Sequence, residues 1–401
     1  MALPPIVALD IGTSKVLALV AEVRDDDCIL VTGMGEHSAV GVKKGEVTHL
    51  ENAAICVKHA MQAAEESSDS LLQEVFLSVS GGHIQSVSNR GEVPVLDRED
   101  GVTSDDINKV SDVAKAVDLS HDREAIHDIS QNYCVDGHEK VTSPIGLAGT
   151  KLVQDVLVIH GISNRIDNTV RVAEELHLDV NEIAFSGLCS ALSVLTPEQK
   201  QGGVVVIDLG AGITDYLVYA GGVMASAGAI GVGGDHITND IVRAFSIPQS
   251  QAEAIKIEAG SAILDTPGAA QRITLPPEGG FQGCQINMKS LHTVIHARCD
   301  ELFRMIKQRL EDESLLLHVG AGVVLTGGCA RLNGITELAG RIFGLPCSIG
   351  RPAGLSGLTA ISEHPEYATA CGLVKFGVKV LSEQDDSSKV SKIFRKLFGG
   401  S

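Results

Sequence analysis

The chain has 401 residues, more than one hydrophobic core accommodates, so we expect at least two domains. Its net charge of −19 argues against nucleic acid as a partner, and it contains no run of 18 apolar residues that could span a membrane. Nine cysteines without a C-x-x-C pair indicate reduced core residues, not a disulfide framework or a zinc site.

The first predicted element is a hairpin of two strands near the start of the chain. Apolar segments at 7–9 and 16–20 flank a turn made of Asp10, Ile11, Gly12, Thr13, Ser14 and Lys15. Glycine in such a turn lets the backbone approach a ligand closely, and converging N–H groups bind anions. Taken alone the pattern is weak evidence, because an ordinary β-hairpin looks the same.

Residues 82–161 differ in character from the segments on either side. Gly81 and Gly82 open this stretch, which contains a charged turn at 97–101 and a helix predicted over 104–117. A helix predicted over 168–176 then resumes the first lobe. We therefore predict a small inserted α+β domain at 82–161.

The arrangement of strand, acidic turn and strand recurs in the second half of the chain. An apolar segment at 204–207 precedes the turn Asp208, Leu209, Gly210, Ala211, Gly212, Ile213 and Thr214. Two such turns predict two lobes that bind one phosphate chain from opposite sides. No P-loop pattern (G-x-x-x-x-G-K followed by Ser or Thr) occurs, and no G-x-G-x-x-G opens a helix.

The residue types in the two turns suit a magnesium–phosphate ligand. Asp10 and Asp208 each end a strand and could hold a hydrated Mg²⁺ through water, as that ion prefers. The candidate phosphate ligands are the hydroxyl groups and the ammonium group of Thr13, Ser14, Thr214 and Lys15.

A third segment combines a strand predicted over 321–326, a turn at Gly327 and Gly328, and a helix that ends at Gly344. Such a turn can pass close beneath an adenine ring, on which Arg331 could stack. Alone, the glycine pair could equally be an ordinary α/β turn. In this order, the three segments resemble the phosphate-1, phosphate-2 and adenosine motifs of the actin superfamily.

The C-terminal segment is basic, although the chain as a whole is acidic. A polar linker predicted at 382–388 leads to a helix predicted at 389–398, whose apolar positions are Val390, Ile393, Phe394, Leu397 and Phe398. The cations beside this stripe include Lys392, Arg395 and Lys396. Such a helix is typical of one that lies in an anionic membrane surface, weakly unless many copies act together. The alternative is a helix that packs on its own domain or in a partner's groove.

Nearly the whole chain resembles the FtsA family, the bacterial actin homologues of the division ring. The resemblance rests on the three nucleotide motifs, the basic amphipathic terminus, and the segments 76–84, 143–149, 252–256 and 367–373. It implies an α/β fold of the actin-like two-lobe ATPase type (duplicated ribonuclease-H-like domains), with the inserted small α+β domain and a C-terminal amphipathic helix.

The resemblance also implies how the chain divides. The core of the first lobe is expected at 1–81, 162–198 and 362–381, and that of the second lobe at 199–233 and 319–361. A subdomain of the second lobe, helical and loop-rich, is expected at 234–318.

The same resemblance implies a protein that binds ATP, polymerises, and anchors FtsZ filaments to the cytoplasmic face of the cell membrane at the division site. The implied partners are the C-terminal peptide of FtsZ, further copies of the chain, anionic lipid, and later division proteins that bind the inserted domain. Members of this family use the inserted domain for polymer contacts as well.

Further residues near the nucleotide are implied by the resemblance. Gly233, Gly234 and Asn239 would lie beside it, and Glu253 and Lys256 would border the ribose and adenine. Helices predicted to begin near residues 235 and 249 agree with this placement. Glu253 and Lys256 could instead form a solvated i,i+3 ion pair.

We expect ATPase activity to be weak or absent. Many bacterial actins carry Glu-Pro where the chain crosses between the lobes, and that glutamate can orient the attacking water. The matching stretch here, 186–192, begins with Ser186, and a hydroxyl group is a poor general base near neutral pH. No residue is therefore predicted to be catalytic.

The helix predicted over 288–311 is the candidate docking surface for the FtsZ peptide. Its apolar positions would face the core, which leaves Arg298, Arg304 and Lys307 as exposed cations. These cations could bind acidic residues of the peptide through charge-assisted hydrogen bonds. Alternatively, they only balance the acids of the same helix face.

Three other functions compete with this one. A small-molecule kinase of the same superfold would need a carboxylate base beside a substrate pocket, and no segment between the motifs offers one. A heat-shock-type chaperone would need a substrate-binding β domain after residue 380, where too few residues remain. An actin-like pilus-assembly scaffold shares the lobes, but the membrane helix predicted at 389–398 argues against it.

Overall fold

The structure is a computed structural model that describes residues 4–24, 28–96, 101–138, 140–266, 271–357, 361 and 363–384. The helices in this part of the chain are α1 Leu50–Ser68, α2 Ser104–Lys115, α3 Ser163–Glu174, α4 Ser186–Val194, α5 Pro197–Gly202, α6 Gly234–Phe245, α7 Gln249–Ala259, α8 Met288–Asp312, α9 Ile335–Phe343 and α10 Ala368–Gln384. Short 3-10 helices occur at Leu316–His318, Gly328–Arg331 and Pro365–Tyr367.

The strands of the same residues are β1 Ile6–Ile11, β2 Lys15–Val23, β3 Ile29–Ser38, β4 Val42–Lys43, β5 Glu46–Val47, β6 Glu74–Val79, β7 Gln85–Pro94, β8 Arg123–Val135, β9 Lys151–Ile162, β10 Asp179–Phe185, β11 Val204–Leu209, β12 Thr214–Ala220, β13 Val223–Ile230, β14 Arg272–Leu275, β15 Cys284–Asn287, β16 Val323–Thr326 and β17 Cys347–Ile349.

Two sheets of matching topology form the cores of the two lobes. The first has the strand order β10-β6-β1-β2-β3, and the second contains the order β17-β16-β11-β12-β13. In each, an antiparallel hairpin (β1–β2 or β11–β12) is extended by two strands parallel to its first strand. The second lobe is therefore a structural repeat of the first.

Both faces of the first sheet are covered by helices. α1 and α3 pack on one face, where their buried residues form a core with alternate residues of β1 and β2. The contact between α1 and β3 needs glycine, because a Cβ on Gly35 would lie 1.8 Å from the backbone oxygen of Ala60. The other face packs on α10.

Helices α4 and α10 lie between the two sheets. Cys189 of α4 belongs to the core that α10 forms with the first sheet, whereas Leu188 and Ala191 pack on the second sheet. The two helices cross in backbone contact, since a Cβ on Gly372 would lie 1.7 Å from the backbone oxygen of Cys189. The connection between the lobes is therefore closely packed.

The inserted segment joins the sheet of the second lobe. β7, β9 and β8 continue that sheet beyond β13, so that it contains eight strands. The junction is narrow, because β13 and β7 pair in register at Gly228 and Gln85, and Ala227 N also donates to Ser86 Oγ over 2.9 Å. α2 packs on one face of the inserted strands. The edge of the second lobe's sheet is thereby covered.

Two local expectations differ from the structure. The subdomain predicted as helical and loop-rich at 234–318 also contains a small hairpin, β14–β15, which pairs Arg272 with Asn287. Helix α10 continues through Gln384, so the first residues of the linker predicted at 382–388 are helical. Leu381 still packs against the core of the first lobe, which explains why the helix extends.

Candidate functional site

A cleft between the lobes brings together most of the predicted binding residues. It encloses a cavity of about 650 Å³, within the size range of small-molecule sites. The predicted residues that line it are Asp10, Gly12, Thr13, Ser14, Lys15, Asp208, Gly210, Ala211, Gly212, Glu253, Lys256, Gly327, Gly328 and Arg331.

The two hairpin turns face each other across one end of the cleft. Each turn is closed by a backbone hydrogen bond, from Gly12 N to Lys15 O over 2.9 Å and from Gly210 N to Ile213 O over 3.0 Å. A Cβ on Gly212 would lie 2.5 Å from Thr13 Oγ1, so the turns are in contact. Only glycine permits this approach. The two strand–turn–strand segments are thus brought into the arrangement that a two-sided phosphate clamp requires.

The carboxylates at the ends of β1 and β11 are held by hydroxyl groups. Ser78 Oγ donates to Asp10 Oδ1 over 2.5 Å. Ser190 Oγ donates to Asp208, and Thr369 Oγ1 donates to the same carboxylate over 3.1 Å. Burial raises the pKa of Asp10, and it raises the pKa of Asp208 to about 6 despite these hydrogen bonds.

Asp215 is a third carboxylate in the cleft, and it was not among the predicted site residues. It lies opposite Asp208 in the register of β11 and β12, and it accepts a hydrogen bond from Ser80 Oγ over 2.6 Å. Burial, and then the charge of Asp208, raise the pKa of Asp215 well above its ordinary value. Because like charges repel strongly in a buried site, this cleft favours a ligand that brings a cation.

No direct metal site is preformed in the part of the chain that the structure describes, where no three His, Cys, Asp or Glu side chains are grouped to hold one ion. Asp10 and Asp208 nevertheless offer carboxylate oxygens at one end of the cleft. Magnesium keeps several of its waters when it binds proteins. The water-mediated magnesium site therefore stays a prediction.

Lys15 lines the cleft but has other partners. Its Nζ lies 3.2 Å from Glu36 Oε2 and 3.9 Å from the ring centroid of Tyr367. A phosphate group would compete with Glu36 for this ammonium group. A cation that is already positioned beside the cleft loses less side-chain entropy when it binds an anion.

The third segment lines the cleft beside the second hairpin. Gly327 has a φ of 83°, which favours glycine, and a Cβ there would lie 2.2 Å from Asp208 Oδ1. The turn therefore packs directly on the second hairpin. Arg331 NH1 donates to Glu366 Oε1 over 2.7 Å, and 58% of the arginine side chain is exposed. Its guanidinium group is thus available beside the cleft for stacking.

Lys256 is not the solvated half of an ion pair. Its side chain is 10% exposed, and its Nζ donates to Glu253 Oε2 over 2.6 Å, to Thr238 Oγ1 over 3.0 Å and to Gly234 O over 3.3 Å. Glu253 is 42% exposed and lines the cleft. The solvated-pair alternative is therefore wrong for the lysine, which fixes the glutamate beside the cleft.

Four predicted residues do not line the cleft. Thr214 is fully buried and its hydroxyl donates to Val232 O over 2.8 Å, so, contrary to the prediction, it is not available to a phosphate. Gly233 and Gly234 lie behind the second turn, where Gly234 N donates to Gly210 O over 3.0 Å. Asn239 is exposed on α6.

Several residues that line the cleft were missed. Besides Asp215 they include Ser78, Ser80, Glu366 and Thr369. Alternating positions of a strand share a face, so the Ser-x-Ser spacing at the end of β6 was a usable signal for the two serines. Glu366 and Thr369 come from the start of α10 and the turn before it, and no local pattern connects them to the hairpins.

Comparisons with known proteins agree with this geometry. A family model described as Cell division protein FtsA matches residues 205–372, and a model described as SHS2 domain inserted in FTSA matches residues 81–160. The Cell division protein FtsA of Pseudomonas aeruginosa is 36% identical over 386 residues, which cover 96% of this chain and 91% of that protein. The chain belongs to the FtsA family.

A second FtsA protein agrees with this assignment, and two solved structures share the fold. The FtsA of Escherichia coli K12 is 35% identical, over 93% of this chain and 90% of that protein. The PilM-PilN type IV pilus biogenesis complex has a TM-score of 0.65 at 14% identity, with 93% of this chain and 98% of that chain covered. MreB5 of Spiroplasma citri bound to ADP has a TM-score of 0.59 at 16% identity, with 96% and 99% covered.

The fold prediction is confirmed. At these low identities the structural likenesses show the fold alone, and that fold is the actin-like one. The inserted domain predicted at 82–161 is matched by the SHS2 model at 81–160. The molecule is thus an actin-like cell-division protein of the FtsA family.

One of the three cations predicted to bind the FtsZ peptide is not freely exposed. Arg298 is 25% exposed and is fixed by Asp240 of α6, with its Nε 2.6 Å from Asp240 Oδ2, and by Glu301, with its NH1 2.5 Å from Glu301 Oε2. The prediction that it is an exposed cation is wrong, because α6 supplies a carboxylate that helical spacing within α8 does not reveal.

The other two cations are more accessible. Arg304 is 68% exposed and its Nε lies 2.6 Å from Asp300 Oδ2. Lys307 is 32% exposed, and its Nζ donates to Ile342 O, near the end of α9, over 2.8 Å. Arg304 is therefore the better candidate for contact with a partner. Among the described residues, the only partner of its guanidinium group is Asp300, in an ion pair at the surface.

The predicted membrane residues, Val390, Lys392, Ile393, Phe394, Arg395, Lys396, Leu397 and Phe398, lie outside the described part of the chain. Within residues that the structure does describe, no helix has the length and apolar character needed to cross a bilayer.

Proposed function

We propose that this FtsA-family protein binds ATP between its lobes, polymerises, and anchors FtsZ filaments to the cytoplasmic face of the cell membrane at the division site. The observation that carries the proposal is the contact between the two glycine turns, Gly212 against Thr13, at one end of a cavity of about 650 Å³. Membership of the FtsA family supplies the role in cell division.

Nucleotide binding is supported by the shape of the cleft and the residue types along it. The glycine turns and Lys15 suit a phosphate chain, and the Gly327 turn with Arg331 suits a purine. Glu253 offers a carboxylate for the ribose hydroxyl groups. MreB5 of Spiroplasma citri, which shares the fold, was solved bound to ADP and bound to AMPPNP.

Magnesium fits the same end of the cleft. Asp10 and Asp208 would hold the hydrated ion through its water ligands. Its positive charge would also reduce the repulsion between these carboxylates and Asp215, all of which have raised pKa values. Binding of the ion and the triphosphate should therefore be mutually favourable.

Membrane attachment is proposed for the basic amphipathic segment 389–398, and FtsZ docking for the second-lobe subdomain. The apolar stripe and the cations of the segment support attachment to anionic lipid. Arg304 and Lys307 on α8 remain the candidate contacts for the acidic FtsZ peptide. Polymer contacts and later division proteins are assigned to the inserted domain, as the family resemblance implies.

The pilus-assembly alternative is not favoured. The likeness to the PilM-PilN complex is at 14% identity, which reports fold and not partners. The FtsA relatives, in contrast, match at 35–36% identity over more than nine-tenths of the chain.

The nucleotide proposal is tested by titration calorimetry of ATP with Mg²⁺. Asp10→Ala removes a carboxylate of the cleft, and Gly210→Asp adds a side chain and a charge in the turn that the phosphate would contact, so both should abolish binding. Gly221→Asp is the control in the same lobe, because a Cβ there meets nothing within 4 Å and its φ of 61° is a conformation that Asp adopts more readily than most residues. If both cleft variants bind within about threefold of wild type (about 0.65 kcal/mol), the two-lobe clamp is wrong.

A further inference from the structure

A short hairpin of the first lobe reaches the second lobe beside the cleft. β4 and β5 are joined by Lys44 and Gly45, whose φ angles are 54° and 74°. Positive φ at both central residues is typical of a type I′ turn. A lysine rarely adopts this conformation unless the surrounding structure holds it there, which is a reason to ask what the turn does.

The base of this hairpin is fixed to the first lobe. Thr48 N and His49 N donate to Gly41 O over 2.7 and 3.1 Å. Glu46 Oε1 lies 2.5 Å from Arg165 NH1, and Arg165 is on α3 of the same lobe. The hairpin therefore moves with the first lobe.

The tip of the hairpin contacts both glycine turns of the cleft. Gly45 N donates to Thr13 Oγ1 over 2.9 Å, within the first lobe. Across the cleft, a Cβ on Gly45 would lie 2.8 Å from Ile213 Cδ1, and a Cβ on Gly212 would lie 2.9 Å from Lys44 N and Cα. Gly45 also lines the cavity. The tip thus bridges the lobes at the end where the phosphate chain is proposed to bind.

We propose that the Lys44–Gly45 tip is a latch that restrains the opening of the lobes and so limits both the entry and the release of the nucleotide. This inference rests on the proposed nucleotide binding. A contact between the lobes that exists only when the cleft is closed lowers the rate of opening. Association and dissociation then slow together, and the dissociation constant changes less than either rate.

The test measures the association and release of a fluorescent ATP analogue by stopped flow, with Mg²⁺ and full-length protein. Gly45→Ala places a methyl group against Ile213 and should accelerate both rates by at least about fivefold. Gly137→Ala is the matched control. Asp136 and Gly137 have φ values of 50° and 79°, like the two residues of the tip, but a Cβ on Gly137 would meet nothing within 4 Å. The control should leave both rates near those of wild type.

A second pair of variants loosens the latch without touching the cavity. Glu46→Gln and Arg165→Gln each break the ion pair that joins β5 to α3, and neither residue lines the cleft. Each should accelerate entry and release, and the double variant should match the single ones because they remove one shared interaction. This pair also tests the latch if Gly45→Ala does not fold.

The outcomes separate the latch from the proposed nucleotide binding. If wild type binds no ATP, both are wrong. If wild type binds ATP and these variants exchange it at wild-type rates, the latch alone is wrong. The latch is also wrong if Gly45→Ala accelerates release only and the Glu46 and Arg165 variants change nothing, because the methyl group then acts on the ligand directly.

Discussion

The carboxylate of Asp208 is a point at which separate parts of the chain meet. Its hydroxyl partners, Ser190 and Thr369, come from α4 and α10, the two helices that lie between the sheets. Gly327 of the third segment packs against the same side chain. A ligand that changes the charge at this carboxylate would therefore act on the helices that connect the lobes.

Burial of Asp208 predicts a stability that depends on pH in the absence of nucleotide. Its pKa of about 6 in the folded protein exceeds the ordinary value of 3.8, so the folded state binds more protons than the unfolded state. Stability therefore falls as pH rises from about 4 through 6. Asp208→Asn, which cannot ionise, should be more stable than wild type above pH 6, by up to about 3 kcal/mol.

Urea denaturation of the nucleotide-free protein between pH 5 and 8 measures this effect. The difference between Asp208→Asn and wild type should grow over the lower part of that range and level off above pH 6. Asp112→Asn changes an exposed carboxylate on α2 and should show no such trend. A difference that does not vary with pH, or a variant less stable than wild type at pH 8, would contradict the role assigned to burial.

The hydrolysis expectation also concerns single residues. Ser186 donates to Val79 O over 3.2 Å, so its hydroxyl already has a backbone partner. Asp215 lies nearby, with its Cβ 3.1 Å from where a Cβ on Gly187 would be, but its carboxylate is already held by Ser80 Oγ over 2.6 Å. We predict turnover far below the enzyme median of roughly 10 s⁻¹, measured as phosphate release at saturating ATP. A rate near that median would contradict the expectation.

At the scale of elements, the hairpins and the longer helices could be predicted because their signals are local. Both hairpin turns were located correctly, since two apolar strands and a short acidic turn determine the register between them. α8 followed from apolar residues at helical spacing. Most of the residues predicted to bind nucleotide do line the cleft, because they lie in three local motifs of this kind.

Features that depend on distant parts of the chain were not predicted. Asp240 of α6 binds Arg298 and reduces its exposure, and this contact was missed because the two residues are 58 positions apart in the sequence. The pairing of β13 with β7 merges the inserted strands with the second sheet through a single register position. The contact between the β4–β5 turn and Ile213 was also not predicted, because the spacing of apolar residues does not show which lobe a turn faces.

Helix α8 is the element on which FtsZ docking is predicted. Arg304→Glu combined with Lys307→Glu should weaken recruitment of FtsZ to liposomes, because two positive charges that face an acidic peptide become negative. Lys289→Glu is the control, since it reverses an exposed charge about 22 Å along the same helix. Co-sedimentation measures recruitment, while calorimetry checks that ATP binding is retained.

Lys307 also bonds to Ile342 O, so the thermal stability of the double variant must be compared with that of Arg304→Glu alone. Unchanged recruitment by a folded double variant would move the docking surface elsewhere on the lobe. Loss of recruitment by Lys289→Glu as well would indicate a general charge effect instead of a specific surface.

At the scale of the whole molecule, two repeated lobes enclose one cleft and α10 leads from them toward the basic terminus. The last described residue of α10 is Gln384, a few positions before the segment 389–398. The chain as a whole has a net charge of −19, whereas residues 389–401 contain only basic ionisable side chains. The terminus therefore has the charge needed to bind an anionic surface, whereas the acidic remainder of the protein would be repelled by such a surface.

The most direct test of the tethering role is co-sedimentation of FtsZ with liposomes that contain anionic lipid. Full-length protein should carry FtsZ into the liposome pellet, and the truncation 1–386 should leave both proteins in the supernatant while still binding ATP. The opposite result, FtsZ that pellets equally well with the truncated protein or fails to pellet with the full-length one, would contradict the claim that this chain anchors FtsZ filaments to the membrane.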